Sequence, residues 1–204
     1  MDVRGDLTVT IVRHGNTFGP DEIPRRIGAR TDLPLVASGI VQARALGDAF
    51  AHRRFDRAIA APLRRTRATI DHILARQSTP PATETADWLT EIDHGPDEDA
   101  TDAAVIDRIG AAALAAWDAR AVPPPDWIVE PDRRVAGWRG LWRAGQGDVL
   151  IVTSNGAARF ALFSDPDVQA QATGLSTLKL RTGAYGVIER RAGRLRLAAW
   201  DLRP

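Results

Sequence analysis

The chain has 204 residues, 27 basic against 26 acidic side chains, a formal charge of +1 and no cysteine. That length supports one domain with a real core, and the missing thiols exclude disulfides, iron–sulfur clusters, cysteine-ligated zinc and thiol catalysis. Near-neutral charge argues against nucleic-acid binding, and no apolar stretch reaches membrane-spanning length, so neither nucleic acid nor membrane is expected as a partner. The first residues, with acidic side chains and a five-residue apolar run, do not read as a secretory leader, and a cytoplasmic location is expected.

In chain order, Leu7–Val12 is a continuous apolar run of the kind buried on both faces of a parallel sheet. Ser38 is placed as the N-cap of a helix with Ile40, Ala43, Leu46 and Phe50 on one face. Arg57–Ala60 reads as a second strand. The helix after it carries Pro62 in its first turn and Leu63, Ile70, Ile73 and Leu74 on its apolar face. A loop over 77–85 leads to an extended stretch near Leu89. One helix is expected over 102–117, with Val105, Ile109, Ala112 and Ala116 inward, and three prolines, 123–125, end it. A further helix carries Val135, Trp138, Leu141 and Trp142, and a strand over 149–153 runs straight into a helix at Asn155. Strands are expected at 177–180, 184–189 and 195–200, with Gly193 in the last turn. Alternation of strands and helices predicts an α/β fold, a three-layer α/β/α sandwich with a mostly parallel central sheet.

In such sheets ligands bind beyond the carboxyl ends of the strands, which selects Arg13-His14-Gly15, Ala61-Pro62-Leu63 and Ser154-Asn155-Gly156. The second strand end opens a helix with Arg64, Arg65 and Arg67 in its first turns. The helix dipole disfavours cations there, so an anion nearby is expected to hold Arg65, with Arg64 and Arg67 in solvent. The other arginines, including the pairs 25–26, 53–54, 133–134 and 190–191, read as solvated surface. Glu91, Asp93 and His94 lie together in LTEIDHGPDED; a divalent metal is an alternative to a plain polar loop, although the spacing matches no compact metal motif.

Taken together, these segments resemble the histidine phosphatase superfamily, also called phosphoglycerate mutase-like. RHGNT (13–17) is similar to its RHGxT signature. APLRRTRAT (61–69) resembles its Ser-x-Leu-x-Arg-x-x-x-Thr motif, with Ala61 for Ser. LTEIDHGPDE (89–98) is similar to its acid-bearing loop, in which a Glu is followed by a Gly and a second Glu. VTSNGAAR (152–159) falls where the family usually has Ser-His-Gly, so Asn155 stands where the second histidine is usual. The resemblance implies a single domain over 1–204 with a cap insertion at about 95–134, and a metal-independent phosphatase without cofactor. It makes His14 the nucleophile, Glu91 the general acid and base, and Arg13 and Arg65 the phosphoryl clamp. Asn16, Asn155 and Gly156 complete the substrate contacts, with the Asn155 side-chain nitrogen expected to face His14. The partner implied is a small phosphorylated substrate, with a homodimer open. A phosphomutase is the alternative, disfavoured because TFGPDE (17–22) lacks the mutases' Trp-Asn pair. A weakly active phosphate-binding or regulatory protein is the other, because an Asn amide donates a hydrogen bond but carries no charge. Trp117 is expected in the core, and Trp127 either there or at the substrate.

Overall fold

The computed structural model describes residues 5–204; the first four, part of the stretch read for a leader, lie outside the described residues. Six strands form one mixed sheet in the order β3-β2-β4-β1-β5-β6. They are β1 (Leu7–Arg13), β2 (Arg57–Ala60), β3 (Thr83–Thr85), β4 (Gly147–Thr153), β5 (Tyr185–Arg191) and β6 (Arg194–Leu202). The β1–β4, β4–β2 and β2–β3 pairs are parallel, and β5 and β6 add an antiparallel hairpin at one side. Gly193, at φ +78°, closes that hairpin.

The two-residue period of the strands divides the core in two. On one face Val12, Leu150 and Val152 meet Leu46 and Phe50 of α1 (Ala37–Phe50) and Ile70, Ile73 and Leu74 of α2 (Arg64–Leu74). On the other, Val9, Ile11, Val149 and Ile151 meet a larger cluster that includes Trp117, Trp138, Leu141 and Trp142. That layer contains α3 (Asp102–Ile109), α4 (Ala111–Arg120), α5 (Pro131–Ala144), α6 (Asn155–Ala158) and α7 (Pro166–Ala172). The α/β sandwich expected from the alternation of elements is therefore present.

Four local expectations are corrected. Ser38 is not the cap: α1 starts at Ala37 after Val36, leaving the Ser38 hydroxyl to accept from Asn16 Nδ2 at 3.2 Å. The helix expected over 102–117 is two, because Gly110 takes φ +82°, a conformation that breaks the ladder and lets α4 turn Leu114 and Trp117 inward while Ala112 faces solvent. Segment 177–180 is not a strand, because its backbone groups bind side chains instead of a ladder. Leu180 N–H donates to Asn155 Oδ1 at 2.9 Å, Leu180 C=O accepts from Arg13 Nη1 at 2.7 Å, and Leu178 C=O accepts from Trp200 Nε1 at 3.2 Å. Finally, the other arginines are not all solvated: Arg134, Arg159 and Arg190 are buried, their guanidinium groups capping backbone carbonyls.

Candidate active site

Because β4 lies between β1 and β2, the carboxyl ends of these three parallel strands open side by side, with Arg13 level with Thr153 and Ala60 level with Val152. A cleft of about 730 Å³ opens there, and Arg13, His14, Asn16, Glu91, His94, Asn155 and Gly156 all line it. Arg65, in the first turn of α2 beyond the β2 end, is fully buried and does not line the cleft.

His14 is fixed from two sides. Its Nδ1 lies 2.8 Å from the Gly15 carbonyl, which only accepts, so Nδ1 carries the proton and Nε2 holds the lone pair. Arg65 Nε donates to that Nε2 at 3.2 Å. Burial, followed by the charges of Arg65 and Arg13, holds the imidazole well below its ordinary pKa, so His14 is neutral at physiological pH. Arg65 is seated by the carbonyls of Thr31 (2.8 Å) and Gly28 (3.1 Å), and Thr69 Oγ1, one helical turn on, accepts from Gly15 N–H at 3.2 Å. Burial lowers the pKa of both Arg13 and Arg65, while the charge of Glu91 works the other way.

Glu91 enters from the opposite wall. Its Oε2 accepts from Gly156 N–H at 3.1 Å and its Oε1 from Ile92 N–H at 2.9 Å. Burial opposes its charge, but His94, these two amides and Arg65 together hold the carboxyl below its ordinary pKa. Gly156 is thus a seat for Glu91 rather than the phosphate donor expected of it. A Cβ at Gly156 would lie 2.2 Å from Glu91 Oε1, so any side chain there would displace the Glu91 carboxylate. Asn16 lines the cleft with one Nδ2 hydrogen on Ser38 and its Oδ1 accepting from the Thr182 hydroxyl. Asn155 is not a helix cap: with its Oδ1 held by Leu180 N–H, its Nδ2 has no partner among the described residues.

The segment after Glu91 is tied down by charge. Asp97 accepts from Arg108 Nη2 at 2.5 Å and Trp127 Nε1 at 2.6 Å, and the ion pair with Arg108 leads in lowering the Asp97 pKa. Asp93 turns to Arg30 Nε at 3.0 Å and Gly95 N–H at 2.8 Å. Among the described residues no three His, Asp or Glu side chains gather as a metal site would require. Trp117 is buried yet lines the cleft, whereas Trp127 is buried away from it. The rim carries Arg25, Arg26, Lys179 and Arg181, each paired with an aspartate (Asp99, Asp102, Asp118 and Asp201).

Residues 9–203 match the sequence pattern of the histidine phosphatase superfamily (branch 1). The chain belongs to that superfamily. Among solved histidine phosphatases and related structures, mycobacterial glucosyl-3-phosphoglycerate phosphatase superposes with a TM-score of 0.76 at 19% identity, over 96% of this chain and 99% of that one. A putative alpha-ribazole-5'-P phosphatase from Escherichia coli gives 0.73 at 19%, over 97% of both chains. Bacillus stearothermophilus YhfR gives 0.73 at 20%, over 96% of both. At these identities the likeness is one of fold. No curated protein sequence matches the chain.

Two features of this superfamily member lay outside the sequence reading. Arg159, one turn beyond Asn155, is buried with its guanidinium 4.2 Å over the Trp117 ring and Nη1 on the Trp117 carbonyl at 2.6 Å, and burial lowers its pKa to about 10. Glu98, the second Glu of the acid-bearing segment, is buried against His94. The spacing of LTEIDHGPDE was the available signal for Glu98; nothing local marked Arg159 apart from the other arginines.

Proposed function

We propose that the protein is a metal-independent phosphomonoesterase that works through a phosphohistidine on His14. The observation that carries this reading is a neutral imidazole, Nδ1–H fixed on Gly15 and Nε2 lone pair on the buried Arg65 guanidinium, with the charge of Arg13 near and a buried carboxylate on the facing wall. His14 Nε2 bonds to phosphorus as the bond from phosphorus to the leaving oxygen breaks, and Glu91 gives that oxygen a proton. Water then loses a proton to Glu91 and attacks phosphorus, and the nitrogen–phosphorus bond returns its electron pair to His14. Glu91 is ionised in the free site, but a bound phosphate brings like charge beside it and raises its pKa toward the acid form. Arg65 Nε, released from His14 Nε2 when that nitrogen bonds phosphorus, is positioned with Arg13 to hold the phosphoryl oxygens. Asn155 Nδ2 is a neutral donor to the same group.

The segment 95–134 acts as the cap, contributing Asp102, Trp117 and Asp118 to the cleft wall. A cleft of about 730 Å³ accommodates far more than phosphate, and its rim of paired charges suits a polar phosphomonoester.

The test is hydrolysis of an aryl phosphate and a panel of small phosphomonoesters, with chelator present, by wild type and His14→Ala. Turnover by wild type that His14→Ala abolishes supports the reading. An inactive wild type that still binds phosphate would make the protein a binding module, and turnover surviving in His14→Ala would rule out the nucleophile.

A further inference from the structure

The superfamily pattern accounts for Glu91 and for a second acidic residue at 98, but not for the histidine between them. His94 is buried with its side chain only 7% exposed, and it lines the same cleft as His14 and Asn155. Its ring stands edge-on to Trp127, centroids 4.6 Å apart at 81°. Nδ1 is enclosed, 3.5 Å from Glu98 Oε2. Since Nδ1 is shut against Glu98, the ring edge that remains for the cleft is the one bearing Nε2.

Glu98 is itself built in. Its Oε1 accepts from Gly28 N–H (2.8 Å), Arg30 N–H (3.2 Å) and the Thr31 hydroxyl (2.7 Å), and its Oε2 accepts from His94 N–H (3.1 Å). Although burial opposes its charge, the bonds to His94, Thr31 and Gly28 lower its pKa to about 2. Gly28 leaves room for the pair, because a Cβ there would lie 2.4 Å from Glu98 Oε2 and 2.7 Å from His94 Nδ1. The carboxylate beside Nδ1 sets the ring orientation. The same His94 is the leading charge that offsets the burial of Glu91, so it stands close to the proposed acid.

Resting on the phosphatase reading above, we propose that His94, seated on Glu98, is the second histidine of this site, its Nε2–H donating to a phosphoryl oxygen of the substrate beside Asn155 Nδ2. Asn155 and His94 then share what one imidazole on the β4 strand end does elsewhere, the amide and the ring each contributing a hydrogen bond. Glu98 is a positioning residue for this donor.

The experiment measures kcat/KM on an aryl phosphate, and the dissociation constant of inorganic phosphate by calorimetry, for wild type, His94→Phe, Asn155→His and His94→Phe/Asn155→His. Phenylalanine keeps the ring packed on Trp127, so unchanged thermal unfolding separates chemistry from folding. His94→Phe is expected to lower kcat/KM by about a hundredfold, the scale of one lost oxyanion donor, and to weaken phosphate binding in parallel. The double variant is expected to recover most of both losses, since an imidazole on the β4 strand end replaces the missing one. Unchanged kcat/KM and phosphate affinity in His94→Phe would overturn the proposal, as would a loss that Asn155→His does not recover, which would mark His94 as structural. If wild type and His14→Ala prove equally inactive, the phosphatase reading fails, and the phosphate affinities of wild type and His94→Phe still decide whether His94 binds the anion.

Discussion

The two walls of the cleft are held in different ways. The wall made by the ends of β1 and β4 is fixed by the sheet and by hydrogen bonds between backbone and buried side chains: His14 on Gly15, Gly15 on Thr69, Arg65 on Gly28 and Thr31, Asn155 on Leu180. The facing wall, 91–102, contains a single 3₁₀ turn and is held largely by charge: Asp93 on Arg30, Asp97 on Arg108, Glu98 on His94, Arg26 on Asp102. The first arrangement places the neutral His14 imidazole with little dependence on pH or salt. The second places the ionised Glu91 carboxylate in surroundings that respond to both.

The joint between the walls is the most sensitive point. Gly156→Ala would drive a methyl group into Glu91 and part the carboxylate from its amide, so kcat is expected to fall by about 10²–10⁴, the range of general acid catalysis. Steady-state kinetics would check it, and near-normal kcat would show that Glu91 does not need this seat. Within the first wall, Arg65→Lys keeps the charge but loses the fork over the Gly28 and Thr31 carbonyls. Each stranded carbonyl costs about 1–3 kcal/mol, read as a lower midpoint in urea unfolding.

pH separates the walls further. His14 has its pKa lowered on folding, so it stays neutral below pH 6.5, and the acid limb of kcat/KM for the free enzyme is expected to fall below that pH. Its contribution to stability is present above 6.5 and lost as pH falls toward the depressed value. Glu98, lowered from 4.5 to about 2, contributes stability that is present above pH 4.5 and lost as pH falls through about 2. Glu98→Gln should flatten the decline of unfolding free energy between those two values, and an unchanged acid titration would show that the carboxylate is not held as described. The smallest effect is expected from Arg108→Ala, which frees Asp97 and Trp127: a modest rise in KM that shrinks as salt screens the pair in wild type, with kcat unchanged.

Much of the site was legible because its signals are short. Strand β2 was placed at its observed ends, α5 and its tryptophans were found by helical spacing, and the three strand ends were selected before any contact was known. Arg65 could be separated from Arg64 and Arg67 because a cation at a helix start demands a reason, and it alone of the three is buried. The errors share one cause. Segment 177–180 has the composition of a strand, but its amide and carbonyl groups are claimed by Asn155, Arg13 and Trp200, all distant in sequence. Gly156 looked like a phosphate donor until Glu91 was seen on its amide.

By itself the sequence determined the alternation of strands and helices, the three strand ends and the residues with the chemistry of phosphoryl transfer, because hydrophobic period and local motif act within a few residues of chain. Only the tertiary structure decided which proton His14 keeps, which arginines are buried, what Asn155 holds and that His94 lies between Glu98 and the cleft. Protonation and donor direction depend on dielectric and on partners 51 and 25 positions away, Arg65 for His14 and Leu180 for Asn155, and those exist only once the chain has packed.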